Sequence, residues 1–312
     1  MPKVSVCIPT FNRSHLLPFA IDSVLRQTYS DWELIVCDDG STDDTAKFMA
    51  MLSDDRIRYL RHPHNIGKSN NMRAGFEAAT GEYFLKFDDD DRLTPEFLER
   101  TCAILDQHPT VDFVGTDHWI INAQHQRDEA ATASNSQKWQ RTSLAAGNVE
   151  NLLEVVFVHQ SFQIGATLFR HAALRQVNFM RPDWQNCEDN DLFVRLALAH
   201  KTAYYLPDRL MEYRVHPEQQ GTQRAIAYLT DKIRYLESFE FPSNELETIR
   251  RSRLAESQLL LGLRLVEVGE DHQGRSLLQR GRSASASKAH VGLWLSRLPL
   301  SLRQPIYQWI RR

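Results

Sequence analysis

Short apolar runs alternate with longer amphipathic stretches through the first two hundred residues. The apolar runs have the length of β-strands and fall at 3–9, 32–37, 57–60, 83–87, 111–114, 165–169 and 201–206. Between them, apolar positions at helical spacing predict helices, for example over 15–27 and from Glu188 onward. The polar stretch 119–148 predicts a loop with some helix. Because strands alternating with helices imply crossover connections, we expect an α/β fold with a mostly parallel central sheet.

The pattern changes near residue 219, after which helical periodicity dominates and no run typical of a strand follows. The predicted helices of this part cover 225–239 and 245–268, with a third from Gly274. We therefore predict two domains. The first, an α/β domain, covers residues 1–218, and the second, a helical domain, covers residues 219–312.

The composition narrows the class of protein. Hydrophobic residues make up 42% of the 312, which is enough for a packed core. A net charge of −3 gives no reason to expect a nucleic-acid partner. No apolar run is long enough to cross a bilayer, and no signal peptide is recognised before the first strand. The four cysteines lack paired or metal-type spacing, which favours reduced thiols and a cytoplasmic location.

The strongest chemical signal is a run of four aspartates at 88–91, directly after the apolar run 83–87. Such an abrupt change from buried strand to acids is typical of a site for a hard divalent cation, Mg²⁺ or Mn²⁺. An acidic turn before a helix is the alternative interpretation. Asp38 and Asp39 end an earlier predicted strand. Since ligands of parallel sheets bind at the carboxyl ends of the strands, we expect both groups of aspartates at one rim.

Two further acids, Glu188 and Asp189, stand at the start of a predicted helix. Ordinary capping accounts for acids at this position. The partial positive charge of a helix N-terminus also keeps a carboxylate ionised, as a general base requires.

Five separated motifs follow one another along the first domain: VSVCIPTFNR at 4–13, DDGSTD at 38–43, GEY at 81–83, DDDD at 88–91 and Glu188-Asp189. In order and spacing they resemble family 2 inverting glycosyltransferases with the GT-A fold, over residues 3–217. The resemblance implies a Rossmann-like catalytic domain that moves a sugar from a nucleotide-diphosphate sugar to an acceptor hydroxyl. It also implies Mn²⁺ or Mg²⁺ as cofactor. We expect UDP as the nucleotide, with dTDP and GDP as alternatives.

The resemblance also implies roles for particular residues. Asp189 would be the catalytic base. Asp39 would accept the imide N–H of uracil, supported by Asp38. Asp90 would bind the metal directly, and Asp88 would meet the ribose or the metal shell. The remaining residues that would contact the donor are Pro9, Thr10, Asn12, Asp89 and Glu188.

Three candidates carry an alternative interpretation. Lys68 could bind phosphate, or it could lie on a solvated helix face. Trp184 is placed to stack on a sugar, although a tryptophan packed in the core fits equally well. His216, in a Tyr-Arg-x-His segment, could reach the pyrophosphate or the metal, or it could be a loop histidine bonded to backbone.

The C-terminal stretch has an uneven charge, because no Asp or Glu follows Asp271 while arginines recur. A helical face with arginines such as Arg303 near its edges would carry Leu302, Ile306, Trp309 and Ile310. Such a helix can lie on an anionic membrane, or it can pack on protein. Membrane contact would place the enzyme peripherally on the inner face of the cell membrane and would suit a lipid-linked saccharide acceptor of surface-polysaccharide or glycolipid biosynthesis.

Two rival functions remain. A sugar nucleotidyltransferase also places acids on an α/β sheet, but it typically shows a glycine-rich phosphate loop near its N-terminus, and this sequence has none there. A non-catalytic nucleotide- or sugar-binding scaffold at the membrane is the second rival. The intact acids at 88–91 and Asp189 argue against it.

Overall fold

The structure is a computed structural model that describes residues 1–215, 222–303 and 306. The chain divides into two compact units, Met1–His216 and Pro217–Arg312. Each unit has hydrophobic clusters of its own. His216 lies outside the described residues, so the structure carries no information on its predicted contact with pyrophosphate or metal.

One sheet organises the first unit. Its strands are β1 (Val4–Thr10), β2 (Trp32–Asp38), β3 (Ile57–Arg61), β4 (Tyr83–Lys86), β5 (Arg92–Leu93), β6 (Phe113–Ile121), β7 (Arg127–Asp128), β8 (Gly147–Asn148), β9 (Thr167–Arg170) and β10 (Ala203–Arg214). Their order is β3-β2-β1-β4-β9-β6-β10-β5, with β7 paired to β6 and β8 to β10. The run β3-β2-β1-β4 and the pair β6–β10 are parallel, whereas β9 is antiparallel to both neighbours. The expected mostly parallel sheet is confirmed.

Helices connect these strands. They are α1 (Leu17–Leu25), α2 (Thr45–Ala50), α3 (Lys68–Ala78), α4 (Phe97–Gln107), α5 (Glu129–Lys138), α6 (Leu152–Glu154), α7 (His171–Gln176) and α8 (Glu188–Leu198). In α1 the buried apolar residues recur at helical spacing, as Leu17, Ala20, Ile21 and Val24. Every residue of β1 and β2 is buried, which is expected of parallel strands covered on both faces.

A glycine sets how closely α3 approaches the sheet. A Cβ at Gly75 would lie 2.2 Å from the sulfur of Cys7 and 2.5 Å from that of Cys37. Only a residue without a side chain therefore lets α3 pack at this distance on β1 and β2. This packing fixes the first residue of α3, Lys68, close to the carboxyl ends of the strands.

Two parts of the first unit contain strand that the sequence pattern did not predict. The stretch 119–148, predicted as a loop with some helix, contains the helix α5, whose Asp128 cap accepts a hydrogen bond from the backbone N–H of Ala131 at 2.8 Å, but it also contains the end of β6. Strand β10 runs well past the predicted end at residue 206. The register against β6 shifts between Leu206 and Arg209, so a bulge at Pro207 breaks the period-two pattern without ending the strand.

The second unit is helical in its described part, as expected. Its helices are α9 (Thr222–Glu237), α10 (Asn244–Val268), α11 (Asp271–Arg280) and α12 (Ala286–Leu295). Helix α10 begins at a Ser243 cap and ends at Gly269, whose φ of 95° is the left-handed conformation that favours glycine. None of the helices in the described ranges combines the length and the apolar character needed to cross a bilayer.

One expectation for the C-terminal stretch is wrong. Arg303 does not lie at the edge of a membrane-facing helix, because it is only 5% exposed. Its guanidinium pairs with the carboxylate of Asp271 and donates to the backbone oxygens of Leu298, Val266 and Ser296. The ion pair with the partly exposed Asp271, together with these backbone acceptors, holds the arginine inward. Trp309 and Ile310, and the residues around them, lie outside the described part of the chain.

Candidate active site

The carboxyl ends of β1, β2 and β4 meet at one rim of the sheet, because these parallel strands are adjacent, with β1 in the middle. The backbone N–H of Asp39, just past β2, donates to the carbonyl oxygen of Thr10 at 2.9 Å. The backbone N–H of Phe87, just past β4, donates to the carbonyl oxygen of Cys7, also at 2.9 Å. The two groups of aspartates therefore start from the same edge, as the strand pattern predicted.

Asp38 shapes the turn that follows β2. It is fully buried. Its Oδ1 accepts the backbone N–H of Ser41 at 2.8 Å, and its Oδ2 accepts the hydroxyl of Tyr59. Gly40 has a φ of 76°, and a Cβ there would lie 2.7 Å from a backbone carbon of the neighbouring loop. The turn thus needs both the buried carboxylate and the glycine.

Asp39 faces the loop that leads into α3. Its Oδ1 accepts the backbone N–H of Ile66 at 2.7 Å, and its Oδ2 accepts that of Gly67 at 3.1 Å. A carboxylate oxygen has room for two donors. Asp39 is therefore held in place by the protein and keeps accepting capacity on both oxygens.

The predicted nucleotide-pocket residues of the first motif differ in accessibility. Pro9 and Thr10 are buried at the end of β1. Asn12 is exposed and has a φ of 53°. Its backbone N–H donates to the hydroxyl of Ser41 at 2.9 Å, and its Oδ1 accepts the backbone N–H of Thr42 at 2.8 Å. Asn12 thus joins the loop after β1 to the turn after β2.

Asp88 lies against a buried lysine. The Nζ of Lys86, the last residue of β4, is 2.8 Å from both carboxylate oxygens of Asp88, and Lys86 is fully buried. Burial alone would raise the pKa of Asp88, but the ammonium charges of Lys86 and Lys68 outweigh it and hold this pKa below its ordinary value. Asp88 is therefore ionised, with both oxygens in contact with the protein.

The remaining acids of the run alternate between rim and interior. Asp88 and Asp90 are partly exposed, whereas Asp89 and Asp91 are buried. Burial, with a smaller effect of Asp90, raises the pKa of Asp89 to about 7. The Oδ2 of Asp90 is 3.2 Å from Nη1 of Arg13, which belongs to the loop after β1.

A buried arginine holds the end of this acidic loop. The backbone N–H of Arg214 donates to Oδ1 of Asp91 at 2.9 Å, and its Nε donates to the backbone oxygen of Asp90 at 2.7 Å. Its Nη1 donates to the backbone oxygen of Asn122 at 3.0 Å. The Oδ2 of Asp91 finds no hydrogen-bond partner within the described ranges. Burial, and then the charges of Asp90 and Asp88, raise the pKa of Asp91 well above its ordinary value.

Glu188 and Asp189 begin helix α8. Glu188 pairs with Lys68, whose Nζ is 2.6 Å from Oε1. The Oδ2 of Asp189 is 3.9 Å from the Nζ of Lys86. Its Oδ1 is buried and has no hydrogen-bond partner in the part of the chain that the structure describes. Burial raises the pKa of Asp189 to about 6 against the opposing charge of Lys86.

These contacts bear on two of the open alternatives. Lys68 pairs with Glu188 while its side chain is 40% exposed, and its contact with phosphate stays a prediction. Trp184 is 1% exposed, its backbone N–H donates to the hydroxyl of Ser69 at 2.9 Å, and the guanidinium of Arg181 lies 5.4 Å from its ring centre. A sugar cannot stack on a ring buried to this extent, so Trp184 is a packing residue.

Three residues of this rim were missed by the sequence-based prediction. Arg13 contacts Asp90, Arg214 holds the backbone of the acidic loop, and Lys86 lies between two acids. Lys86 had a signal, since a lysine inside an otherwise apolar strand needs a buried counter-charge. The positions of the two arginines follow only from the tertiary fold.

The carboxylates fit a divalent cation only in part. Among the described residues, no three or more His, Cys, Asp or Glu side chains are grouped to hold a metal ion. Asp90 is partly exposed at the rim, whereas the oxygens of Asp88 are engaged by Lys86. Hard cations often take one or two carboxylates together with substrate phosphates. The donor set suits an ion shared between Asp90 and a diphosphate.

Comparison with known proteins identifies the family. The sequence model of glycosyl transferase family 2 matches residues 5–166, just over half of the chain. The chain belongs to this family. It is therefore a glycosyltransferase, and the matched residues include both groups of aspartates at the rim. Helix α8, with Asp189, lies outside the matched segment.

Several relatives share this part of the chain. An uncharacterized glycosyltransferase of Haemophilus influenzae is 27% identical over 71% of this chain and 68% of its own length. The GalNAc(5)-diNAcBac-PP-undecaprenol beta-1,3-glucosyltransferase of Campylobacter jejuni is 46% identical over 30% of this chain and 31% of its own length. The UDP-Glc:alpha-D-GlcNAc-diphosphoundecaprenol beta-1,3-glucosyltransferase WfgD of Escherichia coli is 33% identical over 38% of this chain and 47% of its own length. The last two alignments thus span less than half of the relatives.

Solved structures share the fold. TarS of S. aureus in complex with UDP-GlcNAc has a TM-score of 0.63 at 15% identity, over 95% of this chain and 91% of that one. The mannosyltransferase PcManGT of Pyrobaculum calidifontis, in complex with GDP-Man and Mn²⁺, has a TM-score of 0.59 at 18% identity, over 99% of this chain and 83% of that one. The expected GT-A fold is confirmed by this likeness.

Proposed function

We propose that this glycosyltransferase moves a sugar from a UDP-sugar to an acceptor hydroxyl, in a metal-dependent reaction that inverts the anomeric carbon. The observation that carries the proposal is the closeness of two acids from distant parts of the chain. The Nζ of Lys86 lies 2.8 Å from Asp88, at the end of β4, and 3.9 Å from Asp189, at the start of α8. A donor bound at the acidic loop would therefore have a carboxylate beside it that can act as base.

The turn after β2 would bind the nucleotide. Asp39 is held by two backbone N–H groups and retains lone pairs, so its carboxylate could accept the imide N–H of uracil. Asp38 would keep the turn in shape, and Asn12 would border the same pocket. TarS, which shares the fold, was solved with UDP-GlcNAc.

The acidic loop would hold the diphosphate and the cation. Asp90 is the residue best placed to bind Mn²⁺ or Mg²⁺, and Asp88 would meet the ribose or the outer shell of the ion. When bound, the cation neutralises negative charge on the departing diphosphate. Arg13 and Lys68 carry positive charge near the same loop and would hold phosphate oxygens. PcManGT, which shares the fold, was solved with Mn²⁺.

Asp189 would be the general base. Its side chain is 33% exposed and its Oδ1 has no hydrogen-bond partner among the described residues, so the carboxylate could receive an acceptor hydroxyl. A pKa of about 6 leaves the group mostly ionised at neutral pH and still basic enough to take the hydroxyl proton. Attack by the acceptor oxygen in one displacement gives inversion, and no covalent intermediate is needed.

The acceptor would be a lipid-linked saccharide of surface-polysaccharide or glycolipid biosynthesis. Two relatives carry undecaprenol-linked acceptors in their names. The second unit exposes large apolar side chains in its acid-free stretch, namely Val291, Trp294, Leu300 and Leu302. Exposed apolar groups among arginines suit an anionic membrane surface.

Trp294→Gln should lower co-sedimentation with phosphatidylglycerol vesicles. The control Met51→Gln, which changes an exposed methionine of the first unit, should leave co-sedimentation unchanged. Equal vesicle binding by both variants would refute the proposed membrane contact.

The central experiment separates chemistry from binding. Asp189→Asn should abolish sugar transfer while UDP still raises the melting temperature, because the amide cannot take a proton but fills the same space. A panel of UDP, dTDP and GDP with and without Mn²⁺ identifies the nucleotide and the need for the ion. Retained turnover in the Asp189→Asn variant would refute the role of Asp189 as general base. Melting-temperature shifts that are the same with and without Mn²⁺ would refute the metal dependence.

A further inference from the structure

Lys86 is an unusual residue for its position. It is the last residue of β4, it is fully buried, and its neighbours on the strand are apolar. Moving an ammonium group out of water is strongly unfavourable unless opposite charges compensate it. A residue that served only to fill the strand would be apolar. The compensation comes from Asp88 on one side and Asp189 on the other.

The geometry of the two contacts is unequal. The Nζ is 2.8 Å from both oxygens of Asp88, which is a direct two-oxygen contact. It is 3.9 Å from Oδ2 of Asp189, which is close enough for a strong electrostatic attraction in a buried site. Lys86 therefore fixes Asp88 directly and restrains Asp189, which is about one hundred residues away along the chain, through charge.

A second lysine strengthens the first turn of α8 without repeating this contact. Lys68, at the start of α3, pairs with Glu188 at 2.6 Å. Three carboxylates thus lie around two ammonium groups. Without Lys86, the repulsion between Asp88 and Asp189 would be opposed mainly by the charge of Lys68, and the first turn of α8 would shift relative to the acidic loop.

We propose that Lys86 is a positioning residue that sets the separation between the donor-binding acidic loop and the base Asp189. This inference rests on the proposed role of Asp189. Reactions between two bound groups depend steeply on their separation, and a displacement of about 1 Å can cost about a hundredfold in rate. Lys86 itself would contact no substrate, because it acts through the two carboxylates.

The test uses Lys86→Met and Lys86→Arg. Methionine keeps the length of the lysine side chain and loses its charge, whereas arginine keeps the charge and changes the shape of the charged group. Because Lys86→Arg still compensates the charges of Asp88 and Asp189, this variant should fold. Both variants should lower kcat, by about a hundredfold for methionine and about tenfold for arginine. The KM for the donor and the Kd for UDP, measured by calorimetry, should stay within about threefold of wild type.

Lys3→Met is the matched control, because Lys3 also pairs with two carboxylates, Glu82 at 2.8 Å and Asp106 at 2.9 Å, far from the rim. A purely structural role for Lys86 predicts that both lysines behave alike, with a lower melting temperature and little change in kcat. That result, or an unchanged kcat in Lys86→Arg, would overturn the inference. If Asp189→Asn instead retains turnover, the assignment of Asp189 as base fails. That outcome is measured without any Lys86 variant, so the two failures can be told apart.

Discussion

Two aspartate-rich turns lie on either side of β1 and use their carboxylates differently. After β2, Asp38 and Asp39 accept hydrogen bonds mainly from uncharged donors, the backbone N–H groups of neighbouring loops and the hydroxyl of Tyr59. After β4, Asp88 and Asp90 contact the charged groups of Lys86 and Arg13. The first turn thus uses acids to fix backbone, and the second gathers charge of both signs at the rim.

The difference shows which physical quantity each turn controls. Asp38 is buried among neutral donors, with the guanidinium of Arg61 3.6 Å from its Oδ2, and removing the carboxylate would leave buried donors unpaired. After β4, burial and then the charge of Asp90 raise the pKa of Asp89 to about 7, and the same two causes raise the pKa of Asp91 well above its ordinary value. Substitution of Asp38 should therefore lower stability, whereas substitution of Asp90 should lower activity.

The largest effect is expected for Asp90→Asn. An amide has the same shape but lacks the charge that a cation and diphosphate require, so kcat should fall by at least about 100-fold. The melting temperature should change little, because the contact with Arg13 is partly exposed and such pairs contribute at most about 1 kcal/mol. Asp208→Asn, in the exposed pair with Arg100, is the control and should leave both quantities unchanged. If Asp90→Asn unfolded the protein without a specific loss of kcat, the acids after β4 would serve stability in the same way as Asp38.

The next effect concerns pH. Asp189 must be ionised to act as base, and burial raises its pKa to about 6. The transfer rate should therefore be at its plateau above that pH and fall about tenfold for each unit below it. The same profile in Asp89→Asn, which removes the nearby group with a pKa of about 7, assigns the acid limb to Asp189. An acid limb near pH 4 would mean that the base has an ordinary carboxylate pKa.

A smaller effect, on stability, is expected for Asp38→Ala. Loss of the carboxylate leaves the hydroxyl of Tyr59 and the backbone N–H of Ser41 without their acceptor, and the free energy of unfolding should fall by roughly 1–3 kcal/mol. Asp44→Ala removes an exposed acid that pairs with Lys47 nearby and should stay within about 0.5 kcal/mol of wild type. If denaturant unfolding gave the same free energy of unfolding for both variants, the proposed role of Asp38 in stabilising the turn would be wrong.

Most of the fold could be predicted from hydrophobic periodicity, because the buried parallel strands and their connecting helices carry clear patterns. The pattern fails where local rules conflict. Pro207 marks a strand end by local chemistry, yet β10 continues past it through a bulge, since pairing with β6 resumes at Arg209. After Ile121 the stretch 119–148 is mostly polar, so the helix α5 within it has little hydrophobic signal.

The position of the site could be predicted, but not the partners of each acid. The predicted strand ends place Asp39 and the acids at 88–91 at the same rim of the sheet. The sequence could not tell that Trp184 is buried, because an aromatic residue in a loop suits a core and a binding surface equally well. It also could not show that Lys86 lies near Asp189 or that Arg214 meets Asp91, since those two contacts join segments more than one hundred residues apart.

The smallest effect is expected for Asp91→Asn, and it tests whether all acids after β4 act alike. Burial and the neighbouring charges raise the pKa of Asp91 well above its ordinary value, so the site disfavours a negative charge and should tolerate a neutral side chain of the same shape. An asparagine has the same shape and can still accept the backbone N–H of Arg214, so unfolding free energy should stay within about 0.5 kcal/mol and kcat within about threefold of wild type. Asp91→Ala removes that acceptor and should cost roughly 1–3 kcal/mol. If Asp91→Asn reduces kcat as strongly as Asp90→Asn, Asp91 is ionised and belongs with Asp88 and Asp90 as a charged member of the rim.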